Sequence, residues 1–193
     1  MGNINGKDYI SAITDVVRSM NPQAEIGKDV ARAVWKVGSE CYLRPRNLNI
    51  SADMLEHSLQ EKPKDVVFYD DSDVVTKIKS DNKFLTHLDE VVYKVENKIP
   101  FTKEDKHHNF NAGDLLYSIH SCGLKIDDIK YNVDGTKDIS VHLSDTYDYT
   151  KIWTAMDRNG ISLATVANDA GTVSSKFDAI NPYKVDIYFT IRR

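Results

Sequence analysis

The chain has 193 residues, 41% of them hydrophobic and 28% charged, with a formal net charge of -4. That length suits one domain, or a domain with an appendage, and the acidic balance supplies no global field for nucleic acid or anionic lipid, so nucleic acid is not an expected partner. No run approaches the roughly 18 apolar residues of a membrane span, and the N-terminus MGNINGKDYISAITD lacks the basic-then-apolar order of a secretory leader.

In chain order, the first hundred residues read as helical. Ile10, Ile13, Val16 and Val17 share one side of a 3.6-residue repeat that ends at NPQ, and Val30, Ala33, Val34, Val37 and Cys41 do the same up to RPRN. Ser51 is the expected cap of a third helix carrying Met54, Leu55 and Leu59, which stops before Pro63. DVVFYDDSD reads as a short strand running into a cap at Ser72 or Asp73. Phe84, Leu85, Leu88, Val91, Val92 and Val95 then give the strongest helical pattern of the chain. His57 and His87 fall on these helices as packing residues.

After Pro100 the character changes. FTKEDKHHNFNAGD is polar and turn-rich, and reads as a loop in which His107 and His108 are solvated; a boundary is expected between Pro100 and Asn109. LLYSIHS reads as a strand. Asp134-Gly135 is a hairpin signal, and Ile139, Val141 and Leu143 alternate with Ser140 and His142 beyond it. Leu163, Val166, Ala167, Ala170 and Val173 form a helical stripe, and Val185, Ile187, Phe189 and Ile191 alternate in the closing strand. The expected fold is α+β: a helical region over residues 1–100 packed on an antiparallel sheet, or partly open barrel, over residues 101–193, the two forming one compact unit.

The stretch VHLSDTYDY carries the candidate chemistry. Continuing the alternation past Leu143 sets Asp145 and Tyr147 on the apolar face and His142, Ser144, Thr146 and Asp148 on the other. A carboxylate at the end of a buried face needs a hydrogen bond, an ion pair or a metal, since leaving it without one costs several kcal/mol. His120, on the expected neighbouring strand, could pair with Asp145 or Asp148 as a base and its orienter, able to activate water or metal-bound water. An Asx-type turn, with the aspartates bonding backbone amides, is the structural alternative. No phosphate-binding glycine loop, nucleophile elbow or zinc-protease motif occurs, and Cys122, preceding Gly123, reads as a small buried residue rather than a nucleophile.

GDLLYSIHS, DGTKDISVHLSDTYDYTKI, ANDAG and INPYKVDIYF together resemble the C-terminal toxin domains of bacterial polymorphic toxins, and DTYDY is similar to the Asp-x-Tyr-Asp motif of colicin M-type bacteriocins. The resemblance spans roughly residues 111–193. It implies a β-rich hydrolase that cleaves a lipid-linked peptidoglycan precursor in the periplasm with magnesium. Carried over, the motif matches Asp145, Tyr147 and Asp148, with Asp145 and Asp148 as magnesium ligands. The family's following His-Arg pair is missing: YTKIWTAMDR has Arg158 but no histidine, which leaves His120 or His142 to supply the base. The implied protein is made in the bacterial cytoplasm, exported without a classical leader, and countered by a cognate immunity protein. The rival reading is a non-catalytic binding or immunity-like protein that meets a basic partner through an acidic face.

Overall fold

A computed structural model describes residues 25–147 and 179–193. The expected helices over residues 10–17 and 163–173 lie outside these, as does Asp148. Helices α1 (Glu25–Gly38), α2 (Asn49–Ser58), α3 (Asp73–Lys79), α4 (Asn82–Glu96) and α5 (Gly113–Ser118) accompany strands β1 (Val66–Phe68), β2 (His107–Asn109), β3 (Ser121–Tyr131), β4 (Lys137–Tyr147) and β5 (Tyr183–Arg192). The fold is α+β, as its pattern of elements predicts. Among the described residues no helix is long and apolar enough to cross a membrane.

The five strands form one sheet in the order β1-β5-β4-β3-β2. β2 pairs with β3, and β3 with β4, antiparallel. Lys137 and Arg193 exchange both backbone hydrogen bonds, the signature of an antiparallel pair, and Asp138 with Arg192, His142 with Tyr188 and Tyr147 with Tyr183 meet in the same register of β4 and β5. β1 instead runs parallel to β5, with Phe68 beside Ile187. The sheet is therefore mixed rather than antiparallel, and it is open: its two edges are the three-residue strands β1 and β2.

By their internal contacts the described residues divide into two compact units, residues 25–63 with 147 and 179–183, and residues 64–146 with 184–193. The division thus falls near Lys64 and at the ends of β4 and β5, while the change of character expected near Pro100 lies inside the second unit.

In the first unit, α1 buries Ala31 and Trp35, and a π-helical turn, Ser39–Leu43, continues the face with Ser39 and Leu43. This differs from the expected stripe: Ala33 and Cys41 are exposed, because the bulky Trp35 sets which side turns inward. Ser51 is buried inside α2 and does not cap it, the helix starting at Asn49. Arg44 donates to Asp53 (2.8 Å) and Glu56 (3.0 Å), and Ser39 Oγ donates to Glu56 (2.5 Å). Tyr183 donates its hydroxyl to the Met54 carbonyl (3.0 Å) and stacks with Tyr147 at 5.1 Å; burial pushes its phenol well above the usual range.

In the second unit the sheet face that carries Val141, Leu143, Val185, Ile187 and Phe189 is buried, and α3 and α4 meet it at Phe189, through Lys79 and Phe84. Ser72 caps α3 by accepting from Val75 N, and Asp81 caps α4 by accepting from Phe84 N (2.8 Å), which satisfies amides left open at helix starts. Phe84, Leu88, Val91 and Val92 are the buried stripe of α4; Phe84 meets Phe189 of β5 (5.9 Å) and Phe110 (6.2 Å). Lys77 of α3 ties to the buried Asp114 of α5 at 2.6 Å. Lys94 ties α4 to the buried Asp105 at 2.5 Å; that ion pair and the Thr102 amide hold the Asp105 carboxyl down at about 2. The expected hairpin is present, with Gly135 at φ 84, a left-handed value that glycine adopts without strain.

LLYSIHS is not a strand: residues 113–118 form α5, and His120 follows it with a left-handed φ of 49. The His120 amide donates to Leu115 O (3.0 Å), closing the helix, and its carbonyl accepts from Phe110 N (2.7 Å). His120 is thereby the pivot between α5 and β3, the work usually given to glycine.

Candidate functional site: a histidine-aspartate pair on the polar sheet face

The alternation expected in β4 holds to the end of the strand. Ile139, Val141, Leu143 and Tyr147 are buried, Asp145 between them is half-buried, and Ser144 and Thr146 are exposed. This sorts the candidate residues onto two faces. Asp145 and Tyr147 lie on the helix-covered face, and His142 on the opposite one, so His142 and Asp145 share no site within the sheet.

On the covered face, His108 of β2 is opposite Cys122 of β3, and one step beyond the pair Gly123 and Ser144 the register sets Cys122 opposite Asp145. Cys122 is 2% exposed, and burial, aided by the nearby Asp145 charge, pushes its thiol far up. A thiol kept protonated is no nucleophile, in agreement with its reading as a packing residue. Cys41, by contrast, is exposed. A thiol reagent under native conditions is therefore expected to modify one cysteine per chain, Cys41, and both after denaturation, as mass spectrometry would count. Rapid native modification of Cys122 would contradict the burial of this row. His120 precedes β3 with a left-handed φ and so stands outside this alternation. Among the described residues no three His, Cys, Asp or Glu side chains converge as metal ligands would, and Asp145 is the one member of the expected magnesium pair they include.

The polar face carries a more developed arrangement. His142 Nε2 lies 2.7 Å from Asp186 Oδ1, and the imidazole stacks on Tyr188 with centroids 4.2 Å apart and planes 13° from parallel. Tyr69, just past β1, stacks on Tyr188 from the other side at 6.2 Å. Lys125 faces His142 from β3. Strands β3, β4 and β5 and the residue after β1 thus set Lys125, His142, Tyr188 and Tyr69 in one row across the sheet. Lys125 donates to Asp127 (2.5 Å) and stays largely exposed. Beside this row, Gly123 leaves space taken by Ser144: a Cβ on Gly123 would lie 2.9 Å from Ser144 Oγ.

Asp186 was not among the residues expected to act. Its one sequence signal is its position: Asp186 in VDIYF and His142 in SVHLS are each a titratable residue at a polar position of an otherwise clean alternating strand. The pairing is 44 residues long in sequence separation and depends on the register of β4 with β5. His107 is exposed as expected, but His108 is 5% exposed, packed against Phe84 and Phe110, which corrects its reading as a solvated loop residue. Alternation in a short strand turns one of two adjacent histidines inward.

Comparison of the chain with protein-family models, curated proteins and solved structures finds no match.

Proposed function

We propose that this chain is a hydrolytic antibacterial effector domain whose general base is His142, oriented by Asp186. The observation that carries this reading is the 2.7 Å contact between His142 Nε2 and Asp186 Oδ1, made on a polar sheet face by a ring already stacked on Tyr188. A carboxylate only accepts, so Nε2 carries the proton and Nδ1 keeps the lone pair. When Nδ1 takes a proton from water, the imidazolium that forms is stabilised by Asp186 through its charge and by the Tyr188 ring through its π-face. Lys125, opposite His142, supplies positive charge for an anion developing beside the base.

The antibacterial part of the proposal rests on the toxin-like motifs, which also make a lipid-linked peptidoglycan precursor the first substrate to test and a cognate immunity protein the expected partner. The magnesium implied by those motifs would draw on Asp145 and Asp148, and no step here is routed through it.

The test is growth of bacteria expressing the chain in the cytoplasm or exported to the periplasm, as wild type, His142→Ala and Asp145→Ala. Harm in one compartment that His142→Ala removes is the expected result. Harm that survives His142→Ala and disappears with Asp145→Ala would return the chemistry to the Asp-x-Tyr-Asp motif, and no harm in either compartment would overturn the effector reading.

A further inference from the structure

His87 of α4 and His108 of β2 meet through their Nδ1 atoms at 3.1 Å, with rings 5.3 Å apart and 25° from parallel. Two facing ring nitrogens at this distance share one proton, one donating and the other accepting. The rest of the His108 ring is enclosed: Phe84 and Phe110 meet it in T-shaped contacts with centroids at 5.2 Å and 4.6 Å, and its Nε2 is buried with no hydrogen-bond partner among the described residues. An orphaned lone pair is cheaper there than an orphaned N–H, so His108 donates from Nδ1 to His87. A second proton has no good place to go. On His108 Nε2 it makes a buried imidazolium with no acceptor, and on His87 Nδ1 it sets two N–H groups against each other.

The charged and titratable neighbours do not rescue the charged form. Asp81, at the start of α4, favours it, but Lys83 and His87 on the same helix oppose it, and desolvation is the largest effect. From β3 the facing group is Cys122, protonated and apolar in behaviour, with its Sγ directed to the His108 carbonyl at 3.9 Å.

We propose that the His87–His108 contact is an acid-sensitive latch between edge strand β2 and helix α4: it requires a neutral His108, so the stability it lends the fold is lost as the pH falls from 7 toward 5. The strand it secures has only three residues, and it sets His108 opposite Cys122 of β3.

The sign follows from the neutral state of His108 in the fold, where its pKa is lowered to about 4 from 6.5. A group with a depressed cationic pKa contributes full stability above its unfolded value and loses it as pH falls through the interval between the two. From pH 7 to pH 5 this one group raises the unfolding equilibrium constant about 20-fold. Asp105 acts lower, between 3.8 and about 2, and leaves this window clear.

The experiment is chemical denaturation of the full chain at pH 7 and pH 5, for wild type, His108→Phe and His108→Gln, with NMR titration of the wild-type imidazoles. The expected results are a wild-type change near 20-fold, a change within a few fold in the variants, and a His108 ring that stays neutral in the native protein through pH 5. Equal pH dependence in wild type and both variants would overturn the latch. If neither variant folds, the titration decides: a native His108 midpoint near 6.5 overturns the proposal, and one well below 5 supports it.

Discussion

For the hydrolase proposed above, replacing His142 with alanine is expected to lower the rate by about 10²–10⁴-fold, the usual contribution of a positioned general base. The ring can take a proton from water at one nitrogen while its other nitrogen is held by a carboxylate at 2.7 Å. Asp186→Asn is the milder companion: the amide oxygen can still accept from Nε2, but the charge that stabilises the imidazolium is gone, so a partial loss is expected. Both side chains are partly exposed, 21% for His142 and 33% for Asp186, and neither fills the core. Their removal is therefore expected to move stability by about 1 kcal/mol or less. Turnover of a lipid-linked precursor, measured beside thermal denaturation of the same preparations, separates chemistry from unfolding. Full activity in His142→Ala at unchanged stability would remove His142 from the mechanism.

Phe84→Ala carries the largest expected cost in stability, about 3–5 kcal/mol for a fully buried aromatic. Phe84 is 0% exposed and contacts three rings from two segments, His108 and Phe110 at β2 and Phe189 of β5, so alanine leaves a cavity that no single neighbour can close. The backbone cap from Asp81 to the residue-84 amide survives the change, so the loss is one of packing and not of helix initiation. With total stabilities of about 5–15 kcal/mol typical, this is a large fraction of the whole. Each 1 kcal/mol corresponds to roughly 2–4 °C in a chain of this size, and a fall of some 6–20 °C in melting temperature is expected. Phe84→Leu keeps most of the volume and should cost far less. A fall of under 2 °C for Phe84→Ala would show that α4 does not close this core.

Where neighbouring residues alone set the outcome, the sequence was sufficient. The two-residue alternation of β4 and β5, the Asp134-Gly135 turn between β3 and β4, the stripe of α4 and the cap at Ser72 are all local: each follows from side-chain period, glycine's access to positive φ, or a hydroxyl three residues from an open amide. The same alternation correctly set Asp145 and His142 on opposite faces. The short run LLYSI, in contrast, is apolar but for Ser118 and too short to show a readable period, so only its surroundings made it α5, with His120 as the left-handed residue that ends it. The parallel seating of β1 on β5, the burial of His108 under Phe84, and the meeting of His142 with Asp186 all join segments remote along the chain. Nothing in the local pattern encodes those contacts, because they depend on which strand lies beside which and in what register. The tertiary fold alone decided them, by burying the apolar faces together and leaving His142, Asp186 and Tyr188 side by side on the polar one.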